Sequence, residues 1–158
     1  MPRKGFGMNI TEVQVKLVNK GYLKAFCSVI FDNMFVIREL RVIETPKGLF
    51  VSMPTRKVGD HCAECGMKNP YTAKFCQRCG IQLPDSRAPR DKNNKLVLYA
   101  DVCHPINQDC RDLIQEAVLK AYNEEESASR QPGYKTKVYS KTRVNHSYNH
   151  EVNSVGSR

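Results

Sequence analysis

The sequence predicts an α+β fold: a twisted antiparallel sheet with a C-terminal helix, interrupted by a small inserted metal-binding ribbon and followed by a disordered basic tail. Three observations predict it. Residues 10–53 alternate apolar and polar side chains in short runs joined by tight turns. Residues beyond Asn107 switch to the three-to-four spacing of an amphipathic helix. Between these regions lie two copies of the tetrapeptide-plus-glycine pattern CxxCG.

The alternation begins at residues 10–18, ITEVQVKLV, where Val13, Val15 and Leu17 share one face and Glu12, Gln14 and Lys16 the other. This period of two marks a strand with one buried face. Asn19-Lys20-Gly21 forms a turn, because Gly accepts positive φ without steric cost. A second strand follows over 22–31, Asp32-Asn33 turns the chain again, and the Val- and Ile-rich segment 35–44 is a third strand. Thr45-Pro46-Lys47-Gly48 turns into a fourth strand, 49–53, closed by Pro54. Each connection is too short for a parallel crossover, so the strands form an antiparallel meander. The pattern resumes at 95–102, KLVLYADV, with Leu96, Leu98, Ala100 and Val102 on one face. Segments 49–53 and 95–102 are expected to be two arms of one hairpin whose tip is expanded around the cysteines.

His104-Pro105 ends the last strand, and Asn107 is a good helix N-cap with Asp109 and Asp112 in the first turns, where the helix dipole favours negative charge. Cys110, Leu113, Ile114, Ala117, Val118 and Ala121 form one apolar stripe that must pack on the sheet. Glu124-Glu125-Glu126 places like charges at the unfavourable end of the dipole, so the helix is expected to fray there. From Ser127 the periodicity is lost. Residues 127–158 bury too little apolar area to offset their ordering entropy and are expected to be largely disordered. The expected organisation is a discontinuous domain of residues 9–58 and 92–126, an inserted ribbon over 60–84, and a basic tail over 127–158.

Cys62-Ala-Glu-Cys65-Gly66 and Cys76-Gln-Arg-Cys79-Gly80 are two copies of one half-site. Two residues between cysteines allow both sulfurs to reach one ion at about 2.3 Å, and the following Gly lets the backbone turn its amides toward the thiolates. Four sulfurs complete a tetrahedral site and leave no position for a catalytic water. Cys62, Cys65, Cys76 and Cys79 are therefore expected to hold one structural Zn²⁺ per chain. Iron is the chief chemical rival, since four thiolates also suit it, and a reversible disulfide switch is the third reading. His61 adjoins the first ligand, but four thiolates leave it no role in the site. Cys27, Cys103 and Cys110 fall in apolar patterns and are read as small buried hydrophobes.

The chain has 158 residues, of which 41% are hydrophobic, slightly low for a compact protein and consistent with an unpacked portion. The odd cysteine count of seven and the paired CxxC spacing favour metal binding in a reducing compartment over a disulfide scaffold. No segment approaches the roughly 18–20 apolar residues of a membrane span, and no apolar run follows the basic N-terminus, so a cytoplasmic bacterial protein without a membrane partner is expected. The formal net charge is +9, of which the tail 127–158 carries +5, while segments 9–58 and 92–126 together come to only +1. Zinc with four thiolates contributes −2, turning the ribbon slightly acidic. Lys68, Lys74 and Arg78 offset that local charge or face nucleic acid; the sequence supports both readings equally.

Outside the ribbon, the stretch VQVKLVNKGYLKAFCSVIFDNMFVIRELRVIETPKGLFVSMPTRK, followed by DVCHPINQDCRDLIQEAVLKAY, resembles the SpoVG family of septation and sporulation proteins. Phe35-Val36, Arg41-Val42-Ile43, Gly48-Leu49-Phe50-Val51-Ser52-Met53-Pro54 and His104-Pro105-Ile106-Asn107 are its most specific parts. The cysteine segment is similar to zinc ribbons appended to many bacterial proteins. The SpoVG resemblance implies a homodimer formed through the sheet strands, binding DNA and in some members RNA. It places part of the nucleic-acid contact around Lys120, Arg130, Lys135 and Lys137. Arg56 and Lys57, where the chain enters the ribbon, form a second basic cluster with Lys92 and Lys95, where it leaves; the sequence supports plain solvent-facing loop charge for that cluster equally. Ordinary members have a short loop in place of the ribbon, and many end in an acidic tail, so their specificity does not transfer directly.

The leading expectation is a nucleic-acid-binding regulator. Tyr134, Tyr139 and Tyr148 interleave with Lys and Arg in the tail, as single-strand stacking requires. The alternative is a protein-interaction scaffold whose ribbon docks on a partner. An enzyme is not expected: there is no Gly-rich phosphate loop or nucleophile–base pair, and His104 sits at a junction where a ring nitrogen commonly fixes the turn through a backbone group.

Overall fold

The computed structural model describes residues 7–139. Four strands, β1 (Ile10–Lys20), β2 (Leu23–Phe31), β3 (Phe35–Thr45) and β4 (Gly48–Ser52), form an antiparallel meander in the order β1-β2-β3-β4. One helix, α1 (Gln108–Ser129), covers one face of this sheet. The alternation read from the sequence is the alternation observed. Val29, Phe31, Leu40, Val42 and Val51 point to the helix and meet Ile114, Val118 and Tyr122 in a dry core. Fully burying a large apolar side chain contributes about 1.5–3 kcal/mol, which makes this interface the main source of stability.

A β-bulge in β3 sets the core. The register steps from Cys27↔Leu40 to Val29↔Ile37, and Glu39 takes φ +64. The extra residue resets the parity of the strand, so Ile37 and Leu40, which strict alternation would place on opposite faces, both reach the helix side.

Three features differ from the sequence expectation. First, the hairpin carrying the ribbon does not grow from β4. Pro54 has no N–H to continue the ladder, and pairing restarts as a separate two-stranded sheet between β5 (Thr55–Lys57) and β8 (Tyr99–Asp101), with Thr55 opposite Asp101. The Pro54 carbonyl accepts from the Val102 N–H at 2.9 Å. The expected strand over 95–102 shrinks accordingly. Leu96 bridges Arg90 in a small hairpin instead, and Leu96 and Val102 are exposed.

Second, the buried stripe of α1 is rotated from the predicted one. Ile114, Val118 and Tyr122 are its buried apolar residues, whereas Leu113 is exposed. Asn107 is the N-cap, its Oδ1 accepting from the Cys110 N–H at 2.8 Å.

Third, the helix does not fray at the acidic triplet but continues to Ser129. Glu126 pairs with Arg130 at 2.7 Å, one turn on. Glu125 is buried, accepts from the Tyr134 hydroxyl and pairs with Lys137 at 2.9 Å. The segment after the helix therefore supplies the positive charge that the helix end lacks. Tyr139 continues this return, its hydroxyl accepting from the Val15 N–H on edge strand β1 at 3.4 Å. The first part of the segment read as disordered thus packs on the domain; residues 140–158 lie outside the described residues. Among the described residues, no helix is long and apolar enough to cross a membrane.

Candidate metal centre and its basic surroundings

The ribbon is built from β6 (Gly59–His61), β7 (Lys68–Pro70) and a tight turn over residues 74–83 in which Phe75 bridges Gln82. The two CxxCG segments fold alike. Gly66 donates to the Cys62 carbonyl at 2.9 Å and Gly80 to the Cys76 carbonyl at 3.0 Å. Both glycines sit at positive φ, +71 and +74, where an L side chain is strained. Sequence similarity between the half-sites becomes geometric similarity because the same turn is required twice.

These knuckles bring the Sγ atoms of Cys62, Cys65, Cys76 and Cys79 within 4.8 Å of one another. Cys62 and Cys79 sulfurs are 3.7 Å apart, and Cys65 and Cys76 sulfurs 3.5 Å. A tetrahedral ion about 2.3 Å from each sulfur would separate them by about 3.8 Å, so the four residues fit one closed metal site. None of the cysteines is in a disulfide. His61 is on β6, outside the cluster.

The electrostatics explain why a cation belongs there. Backbone N–H groups of Cys79 and Arg78 pull the Cys76 thiol down to about 5, helped by Asn69 and Cys65 and opposed by desolvation. The Ile81 N–H acts in the same direction on Cys79, but desolvation and the three neighbouring sulfurs outweigh it and push that thiol up to about 12. A bound dication would supply the counter-charge that lets all four sulfurs ionise.

Three residues that the sequence reading passed over hold the ribbon together. Asn69 is 0% exposed. Its Nδ2 donates to the Met67 carbonyl at 2.9 Å and to the Cys76 sulfur at 3.4 Å, and its Oδ1 accepts from the Gln77 N–H at 2.9 Å. Arg87 closes the module from outside: it pairs with Asp60, donates to the Pro70, Ala73 and Pro84 carbonyls, and lies over the Tyr71 ring. Gly59 permits the close approach of β6 and β7, since a Cβ there would lie 1.8 Å from the Asn69 carbonyl oxygen. Only the position of Asn69 between the two half-sites hinted at its role. Arg87 and Gly59 carried no local signal.

The six basic residues expected to face nucleic acid have different fates. Arg56 and Lys57 lie on β5 at the neck of the ribbon, exposed and in no ion pair among the described residues. Lys120, on the outer surface of α1, and Lys135 are likewise exposed. Arg130 and Lys137 are engaged by Glu126 and Glu125. His104, expected to bond a backbone group, instead sits 3.7 Å from the Asp101 carboxylate, both half exposed. Cys27 is fully buried, and burial pushes its thiol up to about 12. Cys103 and Cys110 are only half-buried.

Comparison with known proteins agrees with this architecture. Residues 8–124 match the SpoVG family, a span that includes the ribbon. The chain is 34% identical over 118 residues to a SpoVG protein of Clostridioides difficile (strain 630), covering 74% of this chain and 89% of the relative. It is 36% identical over 118 residues to one of Archaeoglobus fulgidus, covering 74% and 96%. A third, from Caldicellulosiruptor saccharolyticus, is 32% identical over 116 residues, covering 73% and 91%. These relatives are named for septation rather than for an enzymatic activity. On a meander-and-helix core that matches along almost its whole length, interrupted by a four-cysteine ribbon, the chain is a member of the SpoVG family.

Proposed function

We propose that this protein is a dimeric nucleic-acid-binding regulator of the septation and sporulation type, working in the cytoplasm and carrying one structural Zn²⁺ in its ribbon. The observation that carries the nucleic-acid reading is the exposed Arg56–Lys57 pair at the neck, in no ion pair among the described residues, on the surface of a core whose own charge is near neutral. Lys120 and Lys135 add exposed cations of the same kind. Zinc is assigned because the site is closed, all-sulfur and tetrahedral, with no position open for reaction. The homodimer forms through the sheet strands. The sheet face away from α1 supports this, since Phe50 lies opposite Ile43 and Phe26 opposite Arg41 there, and both phenylalanines are exposed.

The test is titration of labelled single- and double-stranded DNA and RNA with the full chain and with a chain ending at Tyr139, across a salt series. The expected result is binding whose logarithm falls linearly with the logarithm of salt, with a smaller slope for the shortened chain. Absence of binding, or binding indifferent to salt, refutes the nucleic-acid reading. Metal analysis of the purified protein is expected to give one zinc per chain.

One observation favours a second reading, a scaffold whose ribbon docks on a protein. Phe75 is 58% exposed and Ile81 41% exposed on the second knuckle. Apolar side chains in that position suit a protein contact. Phe75→Ala would then abolish partner capture while leaving nucleic-acid titrations unchanged.

A further inference from the structure

An open groove of about 420 Å³ runs along the neck, lined by Lys57, Gly59, Lys68, Asn69, Pro70 and Gln77. Its walls come from β5 and β6 on one side and from β7 and the second knuckle on the other. The lining holds two ammonium groups and no carboxylate. Neither lysine is used in an ion pair among the described residues. Asp60, the carboxylate nearest to Lys57 in sequence, is taken up by Arg87, and Glu64, nearest to Lys68, pairs with neither lysine among the described residues.

The groove is tied to the metal site. Asn69 donates to the Cys76 sulfur with the same amide whose oxygen receives the Gln77 N–H. Lys68 precedes Asn69 on β7, and Gly59 lies opposite Pro70, where its lack of a side chain lets the two strands close up. Two groove-lining positions, Lys68 and Gln77, are therefore placed by a residue bonded to a metal-ligating sulfur, whereas Lys57 is placed by the β5–β8 ladder.

We propose that this groove binds the sugar–phosphate backbone of a nucleic-acid strand, with Lys57 and Lys68 each contacting a phosphate, and that the metal organises it. The proposal rests on the nucleic-acid reading above and gives the inserted ribbon a part in it. Mobile ammonium groups on opposite walls, beside an uncharged amide, suit phosphate oxygens better than base edges. No aromatic ring lines the groove, so its contribution is to affinity rather than to sequence choice.

The test uses the zinc-loaded full chain and a labelled mixed-sequence DNA oligonucleotide, with RNA of the same sequence as a second arm, across a salt series. Each phosphate contact contributes about 0.7–0.9 to the slope of log affinity against log salt, so K57Q/K68Q is expected to lower the slope by about 1.4–1.8. The control K20Q/K47Q removes the same charge from turns at the other end of the sheet and is expected to leave the slope unchanged. Chelating the zinc is expected to lower the slope in the parent chain and to change it far less in K57Q/K68Q. If the full chain binds with a salt-dependent slope that K57Q/K68Q alters no more than K20Q/K47Q does, the groove assignment is overturned and the nucleic-acid reading stands. If the full chain does not bind, both fall together. If polyglutamate of matched charge displaces the oligonucleotide as well as unlabelled DNA does, the site is for acidic protein and the proposal is overturned.

Discussion

Removing the partners of Glu125 should cost more stability than removing its charge. Glu125 is 3% exposed, whereas Lys137 is 62% exposed, so the cost of losing a partner falls on the buried carboxylate. Tyr134→Phe deletes a hydrogen bond to a charged acceptor and should cost about 1.5–3 kcal/mol. Lys137→Met deletes a mostly exposed ion pair and should cost about 1 kcal/mol or less. The double variant leaves the carboxylate buried without either partner, for about 3–5 kcal/mol. Adding Glu125→Gln to that background should recover part of the loss, because an unpaired amide is cheaper to bury than an unpaired charge.

The pH dependence should invert as well. The Tyr134 hydroxyl and then Lys137 hold the Glu125 carboxyl below its ordinary value. Its contribution is therefore complete above about pH 4.5 and is lost as pH falls through the depressed folded value. In the double variant, desolvation alone acts and raises that value, so acidification from about pH 6 toward 4 should stabilise the variant relative to the parent. Urea unfolding followed by the helical circular dichroism band measures both effects. A double-variant cost below about 1 kcal/mol, or a Glu125→Gln cost equal to that of the double variant, would refute the reasoning.

Two further outcomes concern the ribbon. Cys76→Ser should bind less than one zinc per chain and lose the ordered ribbon, while the helix signal persists, because the sheet–helix core and the cysteine cluster are separate packed units; metal analysis and amide exchange check this. Gly59→Ala should raise the rate of zinc transfer to a competing chelator, because its Cβ would meet the Asn69 carbonyl at 1.8 Å and force β6 from β7; an unchanged transfer rate would show that the neck yields without disturbing the knuckles.

The four strands, the helix start and the clustering of the four cysteines were legible because each is specified locally. Val13, Val15 and Leu17 alternate over a span that turn residues bound on one side, Asn107 caps through a residue three positions away, and CxxCG carries its own turn. The hairpin arms were misplaced by a few residues because apolar alternation in 95–102 resembles that of a core strand, and only the missing N–H of Pro54 shows where the ladder must restart. Only the first part of the tail was misjudged, and for a different reason. Composition described the average of residues 127–158, whereas the ordering of Tyr134, Lys137 and Tyr139 depends on one buried carboxylate and one free edge amide.

By itself, then, the sequence determined the family, the meander, the helix and a four-cysteine cluster, since periodicity and cysteine spacing act over a few residues. Only the tertiary structure decided how Asn69, Arg87 and Gly59 join the ribbon to its neck, which basic residues are spent on Glu125 and Glu126, and where a cationic groove opens. Those outcomes depend on residues far apart in the chain, whose partners no local pattern names.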